Sequence, residues 1–365
     1  MSEESFRIAV FPGDGIGNEI TEPCVELMQR AVAVSGGRSL TFEWLEAGAD
    51  TYKKTGTALP EASVAAARAA DAILLAAMGD PAIRYPDGTE IVPQIDMRFI
   101  LDLYAGVRPV RTIPGVRTPL ADPRTADIDF VLVRESTEGL FAPEGRGEVT
   151  AERGTDTMIV TRKGVDRVSR FSFELARSRK RQGHRGKLEL IDKANVFPSL
   201  AFMREVFDAA ASDYPDIETG HAYVDARAMQ MIQRPWEFDV MVTENMFGDI
   251  LSDLGAGLMG GLGFAPSADI GDDHAVFQPC HGTAPDIAGK GLANPTAMFL
   301  SGAMLLEWLG ERRGEAGTRA AGRLIREAVD DAFRGGDLVT CDIGGDAGTA
   351  TVARAVSDAL EARLG

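Results

Sequence analysis

The sequence predicts an α/β protein of two domains, with parallel or mixed sheets flanked by helices. Three observations carry that expectation. Short, wholly apolar runs such as AILLAA at 72–77 recur along the chain, the pattern of strands buried on both faces. Segments of helical period lie between these runs, an alternation that builds parallel sheets. At 365 residues the chain passes the size at which one hydrophobic core stops growing, so a second domain is expected.

The elements follow in order. Arg7 to Phe11 reads as the first strand, and PGDGIGNEI turns it into an amphipathic helix from about Asn18 to Val34. Gly13, Gly15 and Gly17 make G-x-G-x-G, short of the dinucleotide fingerprint, and a turn that needs positive φ explains them equally well. Glu46, after a second strand from Leu40 to Leu45, is the acid a Rossmann arrangement would use. A helix from about Leu59 to Ala70 precedes AILLAA. Ile95, Met97, Ile100, Leu101 and Tyr104 mark the next helix, with Arg98 near its middle and Arg108 just beyond its end. Residues 139–165 loosen into an extended arm with a hairpin. Strands and helices then alternate from Leu188 to Leu254. The glycine-dense GAGLMGGLGF at 255–264 is where the chain is expected to cross between domains, giving one of 1–104 plus 257–365 and another of 105–256. Asn294 and Pro295 start a helix, and helices from about Glu315 to Phe333 and Ala350 to Arg363 are expected to cover the sheet.

Composition excludes several classes of partner. A formal net charge of -17 argues against nucleic acid and anionic membrane surfaces, both of which need basic patches. No window approaches the ~20 apolar residues of a membrane span. MSEESFRIAV has neither the basic start nor the apolar centre of a signal peptide. Cys24, Cys280 and Cys341 are few, odd in number and far apart, which suits reduced thiols and a cytoplasmic location.

Several apolar runs end abruptly in reactive residues. FVLV stops at Arg134, LELI at Asp192 and Lys193, and HAYV just before Asp225. The run at 240–242 leads into MFGDILSDL, where Asp249 and Asp253 are four apart and share one helix face. Ligands of parallel sheets bind outside the carboxyl ends of strands, so these residues converge if the runs are neighbours. Stacked carboxylates repel unless a cation lies between them, and a hard divalent ion such as Mg²⁺ or Mn²⁺ fits oxygen ligands. An exposed acidic helix face explains the Asp pair alone just as simply. Arg98, Arg108 and Arg134 suffice to grip two carboxylates by forked hydrogen bonds, although each singly reads as a surface ion-pair residue. The glycine-rich segment from Gly282 to Gly291 leaves room for a ribose and phosphates. Within it Asp286 could take a ribose 2′-hydroxyl and would repel a 2′-phosphate.

Seven ordered motifs carry a resemblance along nearly the whole chain. They are GDGIGNEI (13–20), MRFILDLYAGVRP (97–109), RESTEG (134–139), DKANVF (192–197), VDARAM (224–229), ENMFGDILSD (244–253) and HGTAPDIAGKGLANP (281–295). The chain resembles the β-decarboxylating dehydrogenases, which act on isopropylmalate, isocitrate, homoisocitrate, tartrate or D-malate. The resemblance implies a two-domain isopropylmalate-dehydrogenase-like fold, a cofactor site unlike a Rossmann domain, and a homodimer with shared active sites. It implies that Arg98, Arg108 and Arg134 bind the substrate carboxylates and that Asp225, Asp249 and Asp253 hold Mg²⁺ or Mn²⁺. Lys193 and Asp225 serve catalysis from the partner subunit, Lys193 in removing the C2 hydroxyl proton, and the arm after Gly139 locks the subunits together.

The same resemblance assigns a cofactor loop of His281, Gly282, Thr283, Ala284, Pro285, Asp286, Ile287 and Asn294. NADP-dependent members carry a lysine and a tyrosine where this chain has Asp286 and Ile287, so NAD is expected. Ile91, Val92, Gln94 and Ile95 would line the pocket for the substrate's third substituent. An apolar pocket with one amide suits a 3-isopropylmalate-type substrate, or alternatively D-malate or tartrate. Two departures stand out. Phe141 replaces a tyrosine implicated in the final protonation, leaving water, Lys193 or Tyr104 as donors. Alternatively the protein is a slow enzyme, one that stops at the keto acid, or a regulatory homologue that only binds. QPCHG, with Gln278 and Cys280, stands where relatives usually read EPVHG.

Overall fold

The computed structural model describes residues 5–142 and 147–363. Strand β1 (Phe6–Gly13) enters helix α1 (Gly17–Ser35) through the glycine turn. Gly13 and Gly15 have φ of +70° and +56°, and a Cβ on Gly17 would lie 2.1 Å from the Pro12 carbonyl oxygen. The glycines therefore serve the turn itself. Glu46, beyond β2 (Leu40–Trp44), is exposed. Asp14 ties the turn down by accepting from the backbone N–H of Ala49 (2.7 Å) and Asp50 (2.9 Å) at the start of α2 (Ala49–Thr55), and of Gly79 (2.7 Å). Helix α3 (Glu61–Ala69) leads into β3 (Ala72–Ala77), which is buried throughout, as its sequence predicts.

Helix α4 (Pro93–Ile100) ends earlier than the apolar period implies. Asp102 takes φ +49°, which breaks the helix, and Tyr104 belongs to the approach to a strand, β4 (Ala105–Arg111), that holds Arg108. After β5 (Asp129–Glu135) comes a hairpin of β6 (Glu148–Val149) and β7 (Gly154–Thr155). Reciprocal backbone bonds of 2.8 and 3.1 Å between Gly139 and Ile159 close its base. The chain continues as α5 (Arg162–Arg181), β8 (Lys187–Asp192), α6 (Pro198–Ala211), β9 (Glu218–Tyr223), α7 (Val224–Gln233), β10 (Val240–Thr243) and α8 (Asn245–Met259). It closes with β11 (Pro266–Ile270), β12 (Ala275–Pro279), α9 (Thr296–Arg313), α10 (Ala316–Phe333) and α11 (Thr349–Ala362). Helix α8 runs on through Gly255 and Gly257, and the chain leaves it at Gly260 and Gly261, with φ of +118° and +133°.

Ten strands form one mixed sheet in the order β2-β1-β3-β12-β11-β4-β5-β10-β8-β9. The pairs β12·β11, β11·β4 and β4·β5 are antiparallel and all others are parallel. Three reversals mean that β1 and β3 point opposite to β5, β10, β8 and β9, so the sheet changes direction over its centre. Helix α1 covers β1 and β3, α9 covers β3, β11 and β12, α5 and α6 cover β8, and α8 lies over β4 and β5. Of the helices expected to cover the sheet, α10 packs instead on α1 and α9, and α11 packs on α10 and α1, as an outer layer. Among the described residues no helix is long and apolar enough to cross a membrane.

Candidate active site

A polar cavity of about 180 Å³ lies where the strand direction reverses, and it is lined by Gln94, Arg98, Arg108, Arg134, Asp249 and Asp253 among others. Gln94 and Arg98 are one turn apart on α4, as are Asp249 and Asp253 on α8. Glu244 fixes where α8 begins by accepting from the N–H groups of Met246 (3.0 Å) and Phe247 (2.6 Å). Gly248 lets α8 settle on β5, since a Cβ there would lie 2.6 Å from the Arg134 Cβ.

The carboxylate that organises the arginines, Asp269 on β11, is absent from the sequence reading. Arg98 Nε and Arg108 Nη2 each donate to it at 3.0 Å. Burial would raise its pKa, but Arg98 and Arg108 hold it down at about 2. Arg134 donates to Asn245 (2.8 Å) and to Asp249. Burial and the like charge of Arg98 pull Arg134 down to about 10, so it stays protonated at neutral pH. Three guanidinium groups thus face three carboxylates, Asp249, Asp253 and Asp269, and the formal charges cancel. Burial and the charge of Asp249 push the Asp253 carboxyl up, a repulsion that a bound cation would relieve.

Lys193 and Asp225 lie elsewhere: they pair with each other at 2.5 Å and do not line the cavity. Strand order gives the reason. Lys193 follows β8 and Asp225 follows β9, two and three strands from β5, about 10 and 14 Å at ordinary strand spacing. The expected convergence therefore gathers Arg134, Asp249 and Asp253, while Lys193 and Asp225 stay apart from them within one chain. Among the described residues no three His, Cys, Asp or Glu side chains meet as a metal cluster.

The substrate-pocket candidates also separate. Ile91 is buried in a small cluster with Ala49 and Ala58 and does not line the arginine cavity. Val92 and Ile95 join Phe99 and Phe141 along a second, wider apolar groove of about 1140 Å³. The Phe141 ring stands beside Arg134, with the guanidinium carbon 5.1 Å from its centroid. Tyr104 donates to Asp272 at 3.0 Å and is not among the residues that line the cavity.

A third cavity, of about 390 Å³, is lined by His281, Ala284, Ile287 and Asn294 together with Ile16 and Asp342. His281 also borders the arginine cavity, as does Gly282, so the imidazole stands between the two spaces. Its Nδ1 lies 2.9 Å from the Gly282 carbonyl, and its buried Nε2 has no hydrogen-bond partner among the described residues. Burial lowers its pKa and keeps the ring neutral. Thr283 is buried and accepts the Ile16 N–H at 2.9 Å, whereas Pro285 and Asp286 are exposed and line neither cavity. Asn294 Oδ1 accepts from Thr296 N–H (3.1 Å) and hydroxyl (2.7 Å), so it caps α9 from one position before Pro295. Glu19 of α1 holds the loop by accepting the N–H groups of Gly289 and Gly291. Such side-chain-to-backbone ties leave no mark in a sequence.

Comparison with known proteins decides the family. The isocitrate/isopropylmalate dehydrogenase family matches residues 7–359. The chain belongs to this family. It is 40% identical over 352 residues to the 3-isopropylmalate/3-methylmalate dehydrogenase of Methanocaldococcus jannaschii, covering 96% of this chain and 98% of the relative. It is 39% identical over 360 residues to the isocitrate/homoisocitrate dehydrogenase of Thermus thermophilus, covering 98% and 99%. Among solved structures, isocitrate dehydrogenase from Methylococcus capsulatus superposes with a TM-score of 0.83 at 37% identity, over 97% of this chain and 99% of that one. A β-decarboxylating dehydrogenase from Thermococcus kodakarensis does so with a TM-score of 0.80 at 36% identity, over 98% and 97%. As a family member the chain is a decarboxylating hydroxyacid dehydrogenase.

Proposed function

We propose that this family member oxidises and decarboxylates a 2-hydroxy acid carrying a 3-carboxylate, with NAD and Mg²⁺ or Mn²⁺, in a homodimer whose active sites are shared. The observation that carries this is the meeting of three arginines with the Asp249–Asp253 pair in one cavity, which His281 and Gly282 border at the start of the glycine-rich loop. Arg98, Arg108 and Arg134 suit carboxylates through forked hydrogen bonds. Asp249 and Asp253 offer the hard oxygen donors that Mg²⁺ or Mn²⁺ takes, and their mutual repulsion fits a cation. Such an ion, when bound, supplies Lewis-acid polarisation of the substrate oxygen. The charge balance agrees, because a dication added to the neutral cavity leaves two positive charges for a dicarboxylate.

The proton acceptor and third carboxylate are taken to be Lys193 and Asp225 of the partner subunit. Met229 and Ile232 of α7, Met246 and Ile250 of α8, and Val196 and Phe197 are exposed large apolar side chains. A second copy would cover them, and a two-fold arrangement returns each Lys193 to the other chain's cavity. The hairpin based at Gly139 is read as the arm that clasps the partner.

A cofactor crossing from the third cavity to the arginines passes Gly282. A Cβ there meets no atom of the described residues within 4 Å and its φ is ordinary, so the fold itself does not demand glycine. The orphaned Nε2 of His281 is a ready partner at the same crossing. Relatives named for 3-isopropylmalate favour that substrate. Gln94 favours a second reading, D-malate or tartrate: its Oε1 is buried without a partner among the described residues, and a substrate hydroxyl would satisfy it.

The direct experiment is NAD⁺ reduction with Mn²⁺ across 3-isopropylmalate, D-malate, tartrate and isocitrate, with CO₂ release followed in parallel. NADH and CO₂ should form together on one of them, and failure on all four would end the proposal. For NAD over NADP, kcat/KM should favour NAD by on the order of 10²-fold, since a 2′-phosphate would meet the charge of Asp286. Equal values would show that the loop holds the cofactor differently. Restoring a hydroxyl with Phe141→Tyr beside Arg134 should raise kcat on the best substrate, by up to about 10²-fold if protonation limits turnover. A markedly slower variant would place the proton donor elsewhere.

A further inference from the structure

We propose that Asp269 is a positioning residue that holds Arg98 and Arg108 for the substrate carboxylates and, with Gln278, keeps a single negative charge beneath them. This rests on the reading of the arginine cavity as a carboxylate site. Asp269 is the hub of three elements: Oδ1 accepts from Arg108 Nη2 (3.0 Å), and Oδ2 from Arg98 Nε (3.0 Å) and Gln278 Nε2 (2.8 Å). These donors sit on β4, α4 and β12. Both carboxylate oxygens are therefore committed inside the protein, and the side chain is 1% exposed, so Asp269 acts on substrate only through its partners.

The two arginines are held differently. The Arg98 side chain is tied through Nε alone and makes no other hydrogen bond among the described residues, so both terminal nitrogens remain for a ligand. Arg108 is tied more tightly, since its Nη1 donates to the carbonyls of Val107 (3.2 Å) and Ala268 (3.0 Å). Without Asp269, buried like charges would repel and swing Arg98 out of place. An asparagine keeps the volume but offers one acceptor oxygen to three donors, and turns an N–H toward at least one of them. Gln278 donates across 2.8 Å, a separation at which two charged carboxylates would repel strongly, and the native pair carries a single acid.

A four-protein cycle on the full-length enzyme tests this: wild type, Asp269→Asn, Gln278→Glu and the double variant. Each is assayed for KM and kcat with NAD and Mn²⁺, for Kd of malonate by calorimetry, and for Tm. Asp269→Asn should raise KM for the hydroxy acid and Kd for malonate about tenfold, with KM for NAD unchanged within about twofold. Gln278→Glu should weaken malonate binding by crowding two acids, and the double variant, which again holds one acid, should recover most of both losses. A merely structural Asp269 would lower Tm without that KM shift or that recovery. The proposal falls if Asp269→Asn binds malonate like wild type, or if the double variant is no better than the singles. If Gln278→Glu does not fold, Asp269→Asn alone decides. A wild type that turns over no hydroxy acid refutes the proposed function while the malonate series still judges Asp269, and in a wild type that turns over a hydroxy acid but binds no malonate the KM series judges Asp269 alone.

Discussion

Asp249→Asn and Asp253→Asn will each lower turnover on the order of 10³-fold with the fold intact, since several kcal/mol of charge stabilisation depend on the ion they are proposed to hold. An amide keeps the shape of the side chain and weakens a hard cation site by removing its charge. The two changes differ in one respect. Asp249 is the partner of Arg134, so losing its charge leaves that buried guanidinium with only neutral hydrogen-bond partners. Asp253 is held above its ordinary pKa by burial and by Asp249, so Asp253→Asn relieves a repulsion and should not lower Tm. Activity titrated with Mn²⁺ should show a shifted midpoint for both variants. Full activity of Asp249→Asn at limiting Mn²⁺ would remove the metal from this site.

The parts of the molecule that the sequence makes legible are those whose signal is local. AILLAA is a central strand because its side chains must be buried on both faces. Asp249 and Asp253 share a face because helix geometry alone puts residues four apart together. The apolar stripe through Ile100, Leu101 and Tyr104 misleads for the same reason. Burial sets it, and burial continues across the break at Asp102 into β4, while the helix does not. Asp269 is illegible because it is an ordinary acid in a short strand until α4, β4 and β12 bring two arginines and an amide to it. Lateral strand order is likewise unwritten in the hydrophobic pattern. That order decides that Lys193 and Asp225 lie away from the arginines in their own chain.

Whether a second copy supplies those two residues is the central claim, and mixing two inactive variants tests it most directly. Lys193→Met should lose turnover on the order of 10²–10⁴-fold by removing a positioned base, and Asp253→Asn loses it through the metal site. Co-expressed in equal amounts, the two chains form mixed dimers in which one site has an intact Asp253 from one chain and an intact Lys193 from the other. Half the dimers are mixed and each has one working site, so about a quarter of wild-type activity should return. If the mixture is no more active than its separate parents, Lys193 serves its own chain and the shared-site account is wrong.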